Sequence, residues 1–165
     1  MEFKHIRHKP PQQLQAKREL LIACSPLRTH ANLSTIIRTA GCCAVQEIIA
    51  TGNVRLVDRI ARDGAKSVRI TIKSSLPPML RKLKREGYTL VGLEQTTNST
   101  PLSEYAFPVK TAIIVGAERE GLSADCLALL DAVVEIPVWG LPYSYNVATA
   151  TSMAIYEYCR QFPNG

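Results

Sequence analysis

Histidine runs out early in this chain: His5, His8 and His30 are the only three, and none lies beyond residue 30. Later serines therefore have no histidine to act as base. No Gly-x-Ser-x-Gly turn is present to expose one either, so serine-hydrolase chemistry has no support. The histidines also lack ligand spacing, and no metal site is expected. Apolar runs fall well short of the roughly 20 residues needed to cross a bilayer. The basic N-terminus, Met1 to Pro11, has no apolar signal core. Five cysteines (24, 42, 43, 126 and 159) make an odd set with no CxxC pair. All fall in apolar sequence, where a free thiol behaves as a small hydrophobe. The expectation is buried, reduced thiols in a reducing, cytoplasmic compartment.

Nucleotide motifs are missing as well. There is no GxGxxG dinucleotide fingerprint. Gly116 and Gly121 have the spacing of a phosphate loop, with Ser123 following. Leu122, however, stands where a lysine must meet the phosphates, and Glu118 and Glu120 would repel them.

What is present is an ordinary globular composition over 165 residues, enough for one domain with a real core. The net charge of +6 points modestly to a polyanionic partner. Its placement is uneven. Lys4, Arg7, Lys9, Lys17, Arg18 and Arg28 crowd the first thirty residues, and Arg81, Lys82, Lys84 and Arg85 share a surface helix.

Residues 1–18 read as an extended basic arm that turns helical near Gln13. Strands are expected at Leu20–Cys24, Val45–Ala50, Val68–Ile72, Thr89–Glu94, Thr111–Val115 and Val133–Ile136. Helices are expected from Asn32 (as N-cap) to Ala40, near Val57–Ala61, over Met79–Arg85 behind Pro77 and Pro78, and from Asn146 to about Arg160. This alternation predicts an α/β fold, a mostly parallel sheet with helices on both faces. The last third, Lys110 to Gln161, delivers two loops to one sheet edge, where open α/β sheets bind ligands. Gly116, Gly121 and the turn from Gly140 to Tyr143 suit an adenosine held by backbone hydrogen bonds and apolar contact.

Four pieces occur in order: Asn32-x5-Arg38; Gly116-x-Glu118-x-x-Gly121-Leu122; Ile136-Pro137; and Ser144-Tyr145-Asn146-Val147-Ala148. Together they resemble the three motifs of the SpoU/TrmH-type RNA 2′-O-ribose methyltransferases, within the SPOUT class. The resemblance extends from near Leu20 to Gln161. It implies a single methyltransferase domain over 1–165, without a separate RNA-binding domain, and a deep C-terminal trefoil knot. Local pattern alone would never suggest a knot.

The resemblance also implies S-adenosylmethionine as cofactor. Gly116, Ile136 and Tyr145 occupy the family's cofactor-contacting positions, and Leu93, Glu94 and Gln95 should complete the pocket. Glu118, Gly121, Leu141, Ser144, Asn146 and Ala148 belong to the same expected set. For catalysis it implies Arg38, with Asn32, Glu118, Ser144 and Asn146 in support. Arginine is a poor base, so its physical role would be electrostatic, stabilising a forming alkoxide and a nearby phosphate. An ion pair with Glu118 is the structural alternative for Arg38. Relatives are usually homodimers with the active site near the interface. Those this small include wobble-position tRNA methyltransferases, which favours tRNA over rRNA.

Two departures stand out: Tyr145 where the family carries leucine or another apolar residue, and Ala148-Thr149 where it continues Ser-Val. They motivate an alternative, a knotted RNA-binding protein that has lost catalysis.

Overall fold

Leu20–Cys24 (β1) and Thr111–Val115 (β6) are buried at every residue. Only strands covered on both faces tolerate such runs. Thr111 is the one polar residue in either; its hydroxyl donates to the Pro108 carbonyl at 2.6 Å. The computed structural model describes residues 1–165. Around this pair the chain runs α1 (His30–Cys42), β2 (Glu47–Thr51), α2 (Asp58–Ala61), α3 (Gly64–Ser67), β3 (Arg69–Lys73), α4 (Pro77–Arg85), β4 (Thr89–Leu93) and β5 (Thr100–Pro101). After β6 come α5 (Ala124–Leu127), β7 (Ala132–Glu135) and α6 (Val147–Gln161).

The strands form one 7-stranded sheet in the order β3-β2-β1-β6-β4-β7-β5. All neighbouring pairs are parallel, so the sheet is wholly rather than mostly parallel. β6 lies between β1 and β4, and β7 between β4 and β5; each enters between strands that precede it in sequence. Cys24 pairs with Val115 and Val115 with Leu93, so β1, β6 and β4 end level at one edge.

Alternate strand residues point to opposite faces. Leu20, Ile22, Cys24, Ile113 and Val115 pack with Leu33, Ile36, Ile37 and Ala40 of α1 and with Ala154, Ile155 and Tyr158 of α6. Leu21, Ala23, Ala112 and Ile114 pack with Leu80 and Leu83 of α4 and Cys126 of α5. The helices thus cover both faces.

Several local expectations need correction. Thr29, not Asn32, caps α1; its hydroxyl accepts from the Asn32 N–H at 3.2 Å. There is no helix near Gln13. Instead the Gln15 and Ala16 N–H groups donate to the Asn164 carbonyl at 2.8 and 3.3 Å, and the buried Arg18 guanidinium donates to the Phe162 carbonyl. The C-terminus therefore captures the base of the arm. Two elements were not expected: the short strand β5 and the single helical turn α3. The cysteines are not uniformly buried: Cys24 and Cys126 are, Cys42 is exposed, and Cys43 and Cys159 are half-buried.

The basic cluster on α4 lies away from the level edge just described. Helix α4 runs back along the sheet, and Lys84 pairs at 2.9 Å with Asp131, which precedes β7. Lys82 pairs with Glu86 at 3.6 Å.

Candidate active site

Beyond the ends of β4, β6 and β7 lies a cleft of about 530 Å³. That size is ordinary for a site holding one small organic ligand. Its floor comes from the loops after β4 (Leu93, Glu94, Gln95) and β6 (Val115 to Arg119, with Gly121). Glu135, Ile136, Val138 and Pro142 form another wall, and Ser144, Tyr145, Asn146, Val147 and Ala150 bring in the start of α6.

The loop after β6 is closed on itself by paired hydrogen bonds. Ala117 N–H donates to the Gly121 carbonyl at 3.1 Å, and Gly121 N–H to the Ala117 carbonyl at 3.0 Å. Gly121 has φ +65°, the left-handed region that glycine enters at little cost. A Cβ there would stand 2.5 Å from Glu94 Oε2. At Gly116 a Cβ would stand 2.5 Å from the Gly121 carbonyl carbon. Both positions need glycine because the turn folds against β6 and against Glu94. The Glu94 carboxylate accepts from the Leu122 and Gln95 N–H groups, each at 3.1 Å, and so binds the β4 loop to the β6 loop.

A second set of bonds joins the distant motifs. Glu118 Oε1 and Oε2 accept from the Arg28 N–H at 3.1 and 2.9 Å, and Oε1 accepts from Asn32 Nδ2 at 2.9 Å. Asn32 Oδ1 accepts from Asn146 Nδ2 at 3.2 Å. Asn146 Oδ1 in turn accepts from the Ala148 and Thr149 N–H groups at 2.9 and 3.3 Å, capping α6. Partial burial pushes the Glu118 carboxyl up. Hydrogen bonds from Arg28 N–H, the Asn32 amide, and the N–H groups of Glu118 and Thr29 outweigh it, so the group sits below the ordinary carboxylate range.

Of the residues expected to bind cofactor, Leu93, Glu94, Gln95, Gly116, Glu118, Gly121, Ile136, Ser144, Tyr145 and Asn146 line the cleft. Leu141 and Ala148 do not. Leu141 projects into solvent at 76% exposure, and Ala148 is buried beneath the α6 terminus with its N–H spent on the cap. Asn32 stands behind the wall, reaching it through Glu118 and Asn146. Arg38 is exposed two turns further along α1 and forms no ion pair with Glu118, whose oxygens are occupied by Arg28 and Asn32. Pro142 enters the wall from the turn expected to hold an adenosine, whereas sequence reasoning missed Val115, Ala117, Arg119, Glu135, Val138, Val147 and Ala150. Most flank motif residues, and proximity to a motif was the signal that could have found them.

The charge of the cleft selects among ligands. Glu94, Glu118 and Glu135 line it against Arg119 alone. Such a wall disfavours a polyphosphate and suits a nucleoside carrying positive charge. Backbone edges of Gly116 and Gly121 and the apolar Leu93, Ile136 and Val138 offer the flat contacts an adenosine needs. These residues fit S-adenosylmethionine, whose sulfonium is cationic.

Comparison with known proteins agrees with this geometry. Residues 19–156 match the model of the SpoU rRNA Methylase family. The chain is 32% identical over 146 residues to a Thermus thermophilus tRNA (guanosine(18)-2′-O)-methyltransferase, covering 87% of this chain and 75% of that protein. It is 44% identical over 88 residues to mouse tRNA (guanosine(18)-2′-O)-methyltransferase TARBP1, covering 53% of this chain but 6% of the mouse protein. The A. aeolicus TrmH/SpoU tRNA modifying enzyme superposes with a TM-score of 0.85 at 23% identity, over 91% of this chain and 78% of that one. The fold is therefore that of the TrmH/SpoU structures, and the chain belongs to the SpoU methylase family.

Proposed function

We propose that this chain transfers a methyl group from S-adenosylmethionine to a ribose 2′-hydroxyl of structured RNA, with tRNA favoured over rRNA. The observation that carries this reading is the bonded path Glu118–Asn32–Asn146, which draws all three motifs onto one cleft of fitting size and charge. Family membership supports the reaction type. The named relatives act on guanosine 18 of tRNA, which favours that position over the wobble nucleotide.

When bound, the cofactor would supply a methyl group activated by its sulfonium: the oxygen–methyl bond would form as the sulfur–methyl bond breaks, releasing S-adenosylhomocysteine, with the 2′-proton passing to a neighbouring RNA phosphate or water. The residues supply alignment and charge. Glu94, Glu118 and Glu135 make the cleft favourable for the cationic sulfonium. Ser144 and Asn146 stand at the mouth, where a ribose would be oriented for in-line attack. Arg38, unpaired and exposed, is free to stabilise the 2′-oxygen as its proton leaves and to hold an adjacent phosphate. Arg38 does not line the cleft of one chain, which supports a homodimer with the active site near the subunit interface.

Arg55, Arg59 and Arg62, in and around α2, are exposed and unpaired. Their segment packs against the helix that carries Arg38: the Val57 N–H donates to Ser34 Oγ at 2.8 Å, and a Cβ at Gly64 would meet Arg38 Cα at 3.0 Å. This arginine surface, with the 1–18 arm, is our proposed grip on RNA phosphates, and its affinity should fall with salt. No helix is long and apolar enough to cross a membrane. We place this activity in the cytoplasm, with 1–165 acting as one methyltransferase domain.

Calorimetric titration with S-adenosylmethionine, paired with turnover of Arg38→Ala, tests the reading. Cofactor binding by both proteins with turnover only in the wild type is expected. Absence of cofactor binding would favour the non-catalytic RNA binder; normal turnover by the variant would remove the Arg38 role.

A further inference from the structure

The loop from Pro137 to Tyr145 enters the cleft wall at Val138 and returns to it at Pro142 and Ser144. Its projecting side chains are large and apolar: Trp139 is 89% exposed and Tyr143 79%. Nothing lies within 4 Å of a Cβ built at Gly140, so the tip stands clear of the body. The loop contains no charged residue, and Trp139 is the only tryptophan in the chain. Exposed aromatic surface of this kind at the rim of a binding cleft marks a contact made in function.

We propose that Trp139, with Tyr143 on the same loop, is a stacking platform for an unpaired base at or next to the nucleotide whose ribose is methylated. This inference rests on the RNA-methylation reading above. A ribose oriented at the mouth of the cleft is most readily presented by a nucleotide in a loop or bulge, outside a regular duplex, and its uncovered base then needs a new partner. Aromatic side chains are the usual partner for such bases, tolerant of sequence because every base has a π-face. The placement suits that task. The platform shares its footing with the wall that faces the cofactor, while Arg119 lines the same cleft and is open to a phosphate. An uncharged aromatic loop at the rim and an arginine in the cleft divide the work between stacking and charge.

Because Trp139 is the sole tryptophan, its emission reports directly on the platform. The full chain, saturated with S-adenosylhomocysteine to prevent turnover, is titrated with an unmodified tRNA transcript pool while binding is followed by anisotropy of labelled tRNA. Tryptophan emission should be quenched in step with binding, and a fully paired RNA duplex should quench far less. Trp139→Ala should weaken tRNA binding by about 5- to 150-fold, the range expected for one stacked base. Trp139→Phe should recover most of that loss. Affinity for S-adenosylhomocysteine should be unchanged in both variants, which separates a lost platform from a damaged cleft.

Binding of tRNA with unchanged emission would overturn the platform and leave the methylation reading intact. Equal quenching by the duplex would also overturn it. So would emission already blue-shifted without RNA and dependent on protein concentration, since a second copy would then cover Trp139. Failure of both tRNA and rRNA to bind, with no methyl transfer, would remove the methylation reading and the platform together.

Discussion

Asn146 Nδ2 donates to Asn32 Oδ1 at 3.2 Å, joining the cap of α6 to the first turn of α1 across 114 positions of sequence. Each amide is used at both ends. Asn32 passes the connection to Glu118 through its Nδ2, and Asn146 caps α6 through its Oδ1. Replacing Asn146 therefore has two separable consequences. Asn146→Ala should cost about 1 kcal/mol of stability through the lost cap, read by urea unfolding. Asn146→Asp keeps a capping acceptor but loses the donor to Asn32, so stability should largely survive while cofactor affinity falls. Equal loss of stability in both variants would refute this division. The Asn32→Ala and Asn146→Ala effects should also be non-additive in a double-mutant cycle.

Glycine at 121 is required twice, once for its left-handed backbone and once for the space taken by Glu94. Gly121→Ala should lose roughly 1–2 kcal/mol from backbone conformation alone and displace the Glu94 carboxylate from the Leu122 N–H. Calorimetry should show cofactor binding weakened by about tenfold or more, each tenfold corresponding to about 1.4 kcal/mol. Wild-type affinity in this variant would show that the turn does not shape the cleft.

The pH dependence at Glu118 has a definite sign. Its folded pKa lies below the ordinary value of 4.5, so its contribution is fully present above the unfolded pKa. That contribution is lost as pH falls through the lowered folded value. Acid unfolding of Glu118→Gln should be less pH-sensitive in the range below about 4.5 than that of the wild type. Parallel acid transitions in the two proteins would contradict the assignment.

Cys159 offers a chemical test of the packing between α1 and α6. The neighbouring Cys43 thiol lowers its pKa from 9.0 to about 7, burial opposes the shift, and the Arg18 charge assists it, while the Cys159 thiol itself donates to the Cys43 carbonyl at 3.9 Å. Burial pushes Cys24 up to about 12. Iodoacetamide should label Cys159 with a rate rising through about pH 7 and leave Cys24 untouched in the native protein. Cys43→Ala should move that rise upward. A rise near 9 in the wild type would disprove the contact.

Much of the framework was legible because local chemistry and tertiary role agree. The all-apolar runs 20–24 and 111–115 became the two central strands, and Asn146 capped the last helix as its sequence suggests. Asn32 was misread because a good capping residue followed an equally good one; Thr29 took the cap and left the Asn32 side chain for long-range work. Insertion of β6 between β1 and β4 was not legible in any window, since strand order depends on contacts between distant segments. The motifs pointed to most of the cleft but not to Glu135 or Val138, which enter only because β7 and its loop turn toward it. The four cations on α4 read from sequence as a second basic cluster on a surface helix, but the fold pairs two of them with carboxylates, Lys82 with Glu86 and Lys84 with Asp131.

The central claim is tested most directly by incubating the chain with methyl-labelled S-adenosylmethionine and unmodified tRNA and rRNA, then analysing the labelled nucleosides by mass spectrometry. A 2′-O-methylnucleoside formed in tRNA by the wild type and not by Arg38→Ala is the result predicted. Label on a base rather than a ribose, or no label in either RNA, would contradict it.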